Sequence, residues 1–360
     1  MYVGLDGIAL TQPKTGVGHY TFELARALAG IASDDKFELL VPPRHSLRRR
    51  YWSQIGLPLY INRLQLDLFH GTNYNIPLWN RCPTVLTIHD LSLLLWPQTH
   101  ERRLVRRARR RLPMMARAAR AIIVPSHAVK QEVCDHLRID SRKIAVIPEA
   151  AREVFQQIAT METESVRRRL AIEDDFILFV GTIEPRKNLL TLVRAFEEIV
   201  RSDSRRPQLV IAGATGWLSQ DVFAYVQAAG ISDRVRFVGY LADHDLRALY
   251  SACRTFVYPS LYEGFGLPLL EAMACGAPVI TSDTPSIRET VGEAALLVSP
   301  TDSSGLTQAI ARLLDNAAER QERSVAGMRH ARKFSWEKTA RATLDLYREV
   351  LKKGNYLKTK

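Results

Sequence analysis

Short apolar runs alternate with amphipathic stretches along the whole chain, and this alternation restricts the fold more than any other feature of the sequence. A parallel β-strand buried on both faces is a short apolar run, and the helix that leads to the next strand is amphipathic. The pattern therefore predicts an α/β protein with two doubly wound parallel sheets. Six apolar runs lie in each half, and they span residues 2–6, 37–41, 67–70, 84–89, 121–124 and 144–147, then 176–180, 208–212, 235–238, 255–258, 278–281 and 295–298.

A polar and poorly patterned stretch, residues 150–174, separates the two sets of apolar runs. The chain has 360 residues, which is long for one domain and sufficient for two. Each half begins with a strand, a glycine-bearing loop and a helix, as Rossmann-like domains do. We predict an N-terminal domain over residues 1–165, a C-terminal domain over residues 166–335, and a final helix over residues 336–360 that packs back toward the N-terminal domain.

The charge balance indicates an anionic partner. Lys and Arg number 50 against 38 Asp and Glu, a formal net charge of +12. Nucleic acid, anionic lipid and a phosphate-bearing substrate fit this balance, and a generally basic surface is the alternative. The four cysteines form no Cys-x-x-Cys pair, which disfavours a zinc site or a disulfide framework. Without a signal-like start or a long apolar stretch, we expect a soluble cytosolic protein that meets a membrane only from its surface.

The segment 260–271 carries the strongest chemical signal in the sequence. Glu263 and Glu271 flank a loop that holds Gly264 and Gly266, and a helix is predicted to start at its end. Glycines let the backbone approach a ligand, and free amides at a helix start bind phosphate. Carboxylates accept hydrogen bonds from sugar hydroxyls. The alternative is an ordinary turn with surface acids, which an exposed Phe between two glycines disfavours.

This Glu-x7-Glu arrangement resembles the signature of the retaining nucleotide-sugar glycosyltransferases with the GT-B fold, especially glycosyltransferase family 4. Three further segments agree in order, namely GTIEPRKN at 181–188, VRFVGYL at 235–241 and AMACGAPVI at 272–280. The resemblance spans nearly the whole chain. It implies two Rossmann-like domains that face a central cleft, and an enzyme that transfers a hexose.

The resemblance also implies roles for residues of the second half. Arg186 and Lys187 would clamp the donor diphosphate and neutralise charge on the leaving group, although a solvated pair at a helix start is the alternative. Glu263 would lie beside the transferred sugar and the diphosphate, and Glu271 would bind the ribose hydroxyls. The other donor contacts would be the backbone amides of Gly264, Phe265, Gly266 and Leu267, with Tyr240 and Leu241 around the base.

In the first half, Gly16 and Gly18 lie in a predicted loop that would approach the diphosphate from the opposite wall, unless the loop is a plain turn. His89 ends an apolar strand, and the carboxyl end of such a strand faces the ligand crevice. The resemblance places a histidine here near the reacting sugar, where it would bond a donor hydroxyl. A core histidine is the alternative. Asn73 and Tyr74 are candidate acceptor contacts.

We expect no metal and no cofactor other than the nucleotide-sugar substrate. The single Asp-x-Asp string, at 243–245, precedes apolar residues at helical spacing and is explained by helix capping. Arg186 and Lys187 make a metal unnecessary for the diphosphate. A dinucleotide-dependent oxidoreductase is disfavoured because no Gly-x-Gly-x-x-Gly follows the first strand closely.

The amino-acid sequences of the segments 182–188 and 88–91 resemble those of the mannosyltransferase-like branch, which builds bacterial surface polysaccharides, including lipopolysaccharide. The resemblance implies transfer of mannose from GDP-mannose, with retention, onto a saccharide or polyprenyl-linked acceptor. Rhamnose, glucose and other nucleotide sugars stay open because a few pocket contacts decide such choices. A nucleotide-sugar 2-epimerase is a further alternative with the same architecture.

A basic run spans residues 101–120 and has three interpretations. A basic amphipathic helix is typical of an anionic membrane surface, here the inner face of the cytoplasmic membrane. A solvated helix face is the plain alternative, and the absence of interleaved aromatics disfavours nucleic acid. Pro113 is predicted to kink or restart the helix. The arginines are Arg102, Arg103, Arg106, Arg107, Arg109, Arg110, Arg111, Arg117 and Arg120, and the predicted apolar stripe is Leu104, Ala108, Leu112, Met115 and Ala119.

Overall fold

The computed structural model describes residues 1–11, 16–42, 52–79, 81–172, 175–202 and 207–358. The chain forms two compact units. Unit 1 comprises Met1–Pro97, Glu101–Ala150 and Phe334–Lys360, and unit 2 comprises Gln98–His100 and Ala151–Lys333.

The elements follow the predicted alternation of strand and helix. The strands are β1 (Tyr2–Asp6), β2 (Lys36–Leu40), β3 (Leu68–Gly71), β4 (Thr84–Thr87), β5 (Ala121–Val124), β6 (Ile144–Val146), β7 (Phe176–Val180), β8 (Gln208–Ala212), β9 (Val235–Gly239), β10 (Thr255–Tyr258), β11 (Val279–Ser282) and β12 (Leu296–Val298). The helices are α1 (Gly16–Ile31), α2 (Leu57–Leu64), α3 (Ser92–Leu95), α4 (Arg102–Ala118), α5 (His127–Leu137), α6 (Thr160–Arg169), α7 (Leu189–Ser202), α8 (Gln220–Ala228), α9 (Asp243–Ala252), α10 (Leu267–Ala274), α11 (Pro285–Val291), α12 (Ser303–Asp315), α13 (Ala317–Ala331) and α14 (Trp336–Lys358). Single 3-10 turns lie at Ile8–Thr11, Pro97–Thr99, Ser141–Lys143 and Pro185–Lys187, and a π-helical turn lies at Trp52–Gly56.

Each unit is built on one parallel sheet, which confirms the predicted fold class. The strand order is β2-β1-β3-β4-β5-β6 in unit 1 and β12-β11-β10-β7-β8-β9 in unit 2. The direction of strand addition reverses between β1 and β3 in the first sheet and between β7 and β10 in the second. Open α/β sheets bind ligands outside the carboxyl ends of the strands at such a switch point.

The C-terminal helix α14 belongs to unit 1, where it packs against α1. Trp336, Ala340 and Tyr347 recur at helical spacing and are buried in one cluster with Leu24 and Leu28 of α1. Burying each large side chain contributes about 1.5–3 kcal/mol, so this apolar face is sufficient to hold the helix on the unit.

The change from unit 1 to unit 2 falls after Ala150 rather than after residue 165. Helix α6 begins between these two positions and ends after the second one, and it packs against α9 of unit 2. Its inward-facing Val166 is buried. The polar stretch that separates the two sets of apolar runs therefore belongs largely to unit 2.

Helix α4 continues through Pro113 without a restart, and the alternative of a kink there stays a prediction. Its buried side differs from the prediction, because it includes Val105, whereas Leu104 is exposed. Residues 105, 112, 116 and 119 follow the 3.6-residue period, and a neighbouring position points about 100° away. The arginines cover the other side. Among the described residues, no helix has the length and apolar composition needed to cross a membrane.

Candidate active site

In unit 2, the two predicted donor motifs leave the ends of strands that are neighbours in the sheet. Strand β7 pairs with β10, and the segments 181–188 and 259–267 follow them at the switch point. The loop after β8 also passes this edge closely. A Cβ atom added at Gly213 would lie 2.0 Å from the carbonyl oxygen of Gly181, so the approach requires a glycine.

Asn188 fixes the turn that presents the two predicted cations. It adopts a left-handed conformation with φ of 57°, which Asn tolerates better than most residues. Its side-chain amide donates to the carbonyl oxygens of Pro259 at 3.0 Å and Pro300 at 2.8 Å. The turn 185–187 is therefore tied to the loops that follow β10 and β12.

Arg186 and Lys187 form a buried ion cluster with two carboxylates. Lys187 Nζ lies 2.5 Å from Glu263 Oε1, and Arg186 Nη1 lies 2.9 Å from Glu263 Oε2. Arg186 Nη2 also bonds Glu184 Oε1 at 2.7 Å. Lys187 Nζ further donates to the Tyr258 hydroxyl at 2.5 Å. The structure thus brings together three predicted site residues and adds Glu184 and Tyr258.

The cluster keeps Glu263 ionised. Burial alone would raise the pKa of Glu263, but the charges of Arg186 and Lys187 and the Lys187 hydrogen bond lower it to about 2. Burial, together with the neighbouring charge of Arg186, lowers the pKa of Lys187. The site therefore holds a fixed negative charge between two cations.

Two side chains of helix α11 donate hydrogen bonds to the backbone of the glycine-bearing loop. Ser286 Oγ donates to the carbonyl oxygen of Glu263, and Thr290 Oγ1 donates to that of Phe265 at 2.7 Å. Gly266 precedes α10 with φ of 99°, a conformation that favours glycine. The expected exposure of Phe265 is wrong, because its side chain is buried. The proposed backbone contacts of Gly264, Phe265, Gly266 and Leu267 stay predictions.

Glu271, the predicted ribose ligand, is buried one helical turn into α10. Its Oε1 accepts a hydrogen bond from Arg152 Nε at 3.1 Å, and Arg152 Nη1 bonds Asp243 Oδ2 at 2.6 Å. Burial raises the pKa of Glu271 to about 7, although Arg152 opposes this shift. Asp243 is the first residue of α9 rather than its cap, so the capping interpretation of the Asp-x-Asp string is wrong there. Its partner is Arg152.

Tyr240 and Leu241 follow β9, the edge strand of the second sheet. Tyr240 is 59% exposed, and β8 lies between β9 and the strand that carries the ion cluster. Their contact with a base stays a prediction. Within the described ranges, no group of three or more His, Cys, Asp or Glu side chains is placed to hold a metal ion.

In unit 1, Gly16 and Gly18 lie in the first turn of α1 rather than in a loop before it. The first-turn amides of a helix have no partner within the helix, and a helix start of this kind suits an anion. The contact with a diphosphate stays a prediction.

His89 follows β4 and has both ring nitrogens engaged. Its Nδ1 lies 2.9 Å from Glu149 Oε1, and its Nε2 lies 2.9 Å from the carbonyl oxygen of Thr72. Both partners are acceptors, so the arrangement favours a ring that carries hydrogen on both nitrogens. Burial lowers the pKa of His89, but the hydrogen bond and charge of Glu149 outweigh it and the net pKa is raised. In this arrangement neither nitrogen is left for a donor hydroxyl.

The candidate acceptor contacts lie close to this histidine. The rings of Tyr74 and His89 have centroids 5.9 Å apart in an edge-to-face arrangement. The Tyr74 hydroxyl accepts a hydrogen bond from the Asp90 amide at 2.9 Å. Asn73 directly precedes Tyr74 in the loop after β3. The structure thus gathers these residues at one edge of unit 1, and their contact with an acceptor stays a prediction.

Three polar residues of the site were missed because their partners are remote in sequence. Glu149 pairs across 60 positions and Arg152 across 119. Arg152 lies in the polar stretch 150–174 and Glu149 lies just before it, so no motif marks either residue. Asn188 ends the segment 181–188, but the sequence alone assigns it no role. Its one local signal is an Asn that follows a short turn and precedes a helix, a position typical of the left-handed conformation.

Comparison with protein families identifies the architecture. The family model described as "Glycosyl transferases group 1" matches residues 161–330, and the model described as "Glycosyltransferase Family 4" matches residues 14–151. The chain is 29% identical over 369 residues to O-antigen chain mannosyltransferase B of Escherichia coli, covering 93% of this chain and 96% of that protein. It is 32% identical over 237 residues to the serotype-specific mannosyltransferase WbdA of Escherichia coli, covering 65% of this chain and 29% of that longer protein.

Solved structures share the fold. A sucrose-phosphate synthase (tll1590) from Thermosynechococcus elongatus aligns with a TM-score of 0.77 at 24% identity, over 97% of this chain and 99% of that one. WaaG, a glycosyltransferase involved in lipopolysaccharide biosynthesis, aligns with a TM-score of 0.75 at 16% identity, over 96% and 99%. These neighbours confirm the expected GT-B fold.

Proposed function

Because the chain belongs to glycosyltransferase family 4, we propose that this glycosyltransferase moves mannose from GDP-mannose onto a saccharide or lipid-linked saccharide in the synthesis of a bacterial surface polysaccharide. Similarity to two O-antigen and serotype-specific mannosyltransferases supports mannose as the sugar. The observation that carries donor binding is the buried cluster of Arg186, Lys187 and Glu263 at the switch point of unit 2.

The cluster suits a leaving group that gains negative charge. Arg186 and Lys187 would bond the diphosphate oxygens, and their positive charges would stabilise the departing oxygen. Glu263 and Glu184 already balance these two cations within the cluster. A bound diphosphate therefore needs further donors, which the amides at the start of α10 supply.

Transfer would proceed with retention at the anomeric carbon. The leaving diphosphate oxygen would take the proton of the acceptor hydroxyl on the face from which it departs. The bond from the anomeric carbon to the diphosphate breaks while the bond to the acceptor oxygen forms, so no side chain has to act as a dedicated base. Arg186 and Lys187 hold the charge during this step.

A thermal-shift panel tests the donor. GDP-mannose should raise the melting temperature more than UDP-, TDP- or ADP-sugars at equal concentration, because preferential binding to the folded state raises stability. A larger shift with another nucleotide sugar would reassign the donor to rhamnose or glucose. Incubation with GDP-mannose alone should yield no epimer, and an epimer would indicate the 2-epimerase instead.

We further propose that the arginine-rich face of α4 contacts anionic lipid at the inner face of the cytoplasmic membrane. Exposed apolar side chains accompany the arginines: Leu104 and Met114 on the helix, and Leu78 and Trp79 in a loop of the same unit. The loop and the helix are joined by a hydrogen bond from Arg111 to Asn75 at 3.4 Å. Arginines attract anionic headgroups, and an interfacial Trp favours the bilayer boundary.

Sedimentation with vesicles of phosphatidylglycerol or of phosphatidylcholine tests this contact. The protein should pellet with the anionic vesicles at low salt and be released at high salt. Replacing Arg103, Arg106 and Arg110 by Glu should abolish pelleting, whereas a matched triple change at Arg201, Arg312 and Arg341 should not. Equal binding to both vesicle types would contradict the proposal, and binding to duplex nucleic acid instead would favour the rival interpretation.

A further inference from the structure

Unit 2 contains a second buried ion cluster, centred on Arg152. The Arg152 guanidinium is 7% exposed and joins three segments of the unit. Nε bonds Glu271 of α10 at 3.1 Å, and Nη1 bonds Asp243 at the start of α9 at 2.6 Å. The guanidinium also lies over the ring of Phe155, 4.6 Å from its centroid. Two hydrogen bonds in a planar fork and a stacked ring leave the guanidinium little freedom to rotate.

The geometry places one cation between two carboxylates. Arg152 draws Glu271 Oε1 into a charge-assisted hydrogen bond, which sets the rotamer of that side chain as well as its charge. The other titratable groups that face Glu271 are Tyr250 of α9 and Cys275 after α10. Burial and Glu271 raise the pKa of both groups, so both stay neutral near pH 7. Arg152 therefore supplies the positive charge at this carboxylate.

We propose that Arg152 is a positioning residue, which keeps the Glu271 carboxylate ionised and oriented to accept hydrogen bonds from the ribose hydroxyls of the donor nucleotide. This inference rests on the proposed function. An ionised carboxylate accepts from two adjacent hydroxyls at once, whereas a protonated carboxyl loses part of its acceptor capacity. Ribose binding then depends on Arg152 through its hydrogen bond to Glu271.

The charges around Glu271 predict opposite effects for two variants. Burial raises the pKa of Glu271 to about 7, Arg152 lowers it, and Asp243 raises it. Arg152→Met removes the lowering group, so the midpoint for Glu271 ionisation moves to higher pH. Asp243→Asn removes a raising group, so that midpoint moves to lower pH. A general loss of packing would shift the midpoint for Glu271 ionisation in the same direction in both variants.

Calorimetric titration with GDP from pH 6 to pH 9 tests the inference in the full-length protein. Affinity of the wild type should fall as pH drops through about 7. In Arg152→Met the fall should begin about one pH unit higher, and affinity at pH 6, below both midpoints, should be about tenfold weaker, since one pKa unit corresponds to a factor of ten. Arg152→Lys keeps the charge and should recover part of the loss. The ionisation of GDP itself is common to all titrations and cancels between variants.

A second measurement keeps the two proposals distinguishable. Carboxyl 13C NMR of the ligand-free protein follows Glu271 directly, with Glu271→Gln for assignment. A shifted Glu271 midpoint in Arg152→Met together with unchanged GDP affinity would overturn the positioning role. An unshifted midpoint, or shifts of the same sign in Arg152→Met and Asp243→Asn, would overturn it also. If the wild type and all variants fail to bind GDP while the Glu271 midpoints still move in opposite directions, the proposed donor is wrong, whereas the effect of Arg152 on Glu271 stands.

Discussion

The two sheets share one architecture, but their switch points carry different chemistry. The edge after β7 and β10 in unit 2 holds two cations and two carboxylates in one buried cluster. The edge after β1 and β3 in unit 1 holds a chain of hydroxyls instead. Thr21 Oγ1 donates to Thr72 Oγ1 at 2.9 Å, and Thr72 Oγ1 donates to the carbonyl oxygen of Asp6 at 2.8 Å.

This difference separates what the fold decides from what the loops decide. Parallel strands bring their carboxyl ends to one edge in both units, so each switch point is a place for a ligand. The side chains that arrive there determine its class. A buried pair of cations suits a diphosphate, whereas hydroxyls and a carboxyl group at Asp6, with a pKa raised to about 6 by burial, suit the hydroxyls of a neutral sugar.

The largest expected effect comes from removing a cation at the charged edge. Lys187→Ala should lower kcat/KM by about 100-fold or more, as the loss of a charge that stabilises the transition state does. Thr72→Val, which removes one hydroxyl at the edge of unit 1, should lower it by about tenfold or less, because a neutral hydrogen bond contributes about 1 kcal/mol. Steady-state kinetics with saturating acceptor measure both.

Lys352→Ala is the control for Lys187→Ala, because Lys352 is exposed on α14. It should leave kcat/KM unchanged. A folded Lys187→Ala variant with normal turnover would remove the assigned role of the cluster. A larger loss for Thr72→Val than for Lys187→Ala would reverse the comparison between the two edges.

A smaller effect, on stability, is expected where Asn188 holds the charged edge together. Asn188→Ala removes two hydrogen bonds to carbonyl oxygens and places a Cβ-bearing residue without a polar side chain in a left-handed conformation. We expect a loss of about 2–3 kcal/mol in the free energy of unfolding, measured in urea. Asn188→Gly loses the same hydrogen bonds but tolerates the conformation, so it should cost about 1 kcal/mol less. Equal losses would show that the backbone conformation contributes nothing.

The strands could be predicted because each strand gives an apolar run within a few residues of sequence. The runs 176–180 and 209–212 are apolar throughout, since a central parallel strand is covered on both faces. Glu263 and Lys187 could be predicted because each lies in a motif that follows such a strand. In contrast, Leu104 was assigned to the buried side of α4 from spacing alone, and a one-residue error in phase was enough to expose it.

The rest of the site depends on tertiary contacts that produce no local sequence pattern. Glu149 lies just after β6 and Arg152 lies in the polar stretch, and only the folded chain shows that the first bonds His89 and the second Glu271. The burial of Phe265 follows from the way α11 holds its loop. Such contacts join elements brought together by the sheet, and hydrophobic periodicity carries no information on which polar side chains then meet.

The smallest expected effect lies within unit 1 and compares two histidines at the same edge. His89 bonds two acceptors and has a raised pKa, whereas His70 bonds the hydroxyls of Tyr347 and Thr87, and burial lowers its pKa to about 3. In Glu149→Gln the pKa of His89 should fall, because burial then acts without the opposing carboxylate.

Histidine-ring NMR from pH 5 to pH 9 measures this change, with His70 as the internal control. His70 should not titrate in this range in either protein. The raised pKa of His89 also adds stability that is fully present below about pH 6.5, the ordinary pKa of histidine, and is lost as pH rises through its folded-state pKa. The wild type should therefore exceed Glu149→Gln in free energy of unfolding by about 1 kcal/mol near pH 6, and the difference should shrink toward pH 9. A stability gap that is constant over this range would show that Glu149 contributes packing rather than charge, and the two histidines would then not differ in the way their partners indicate.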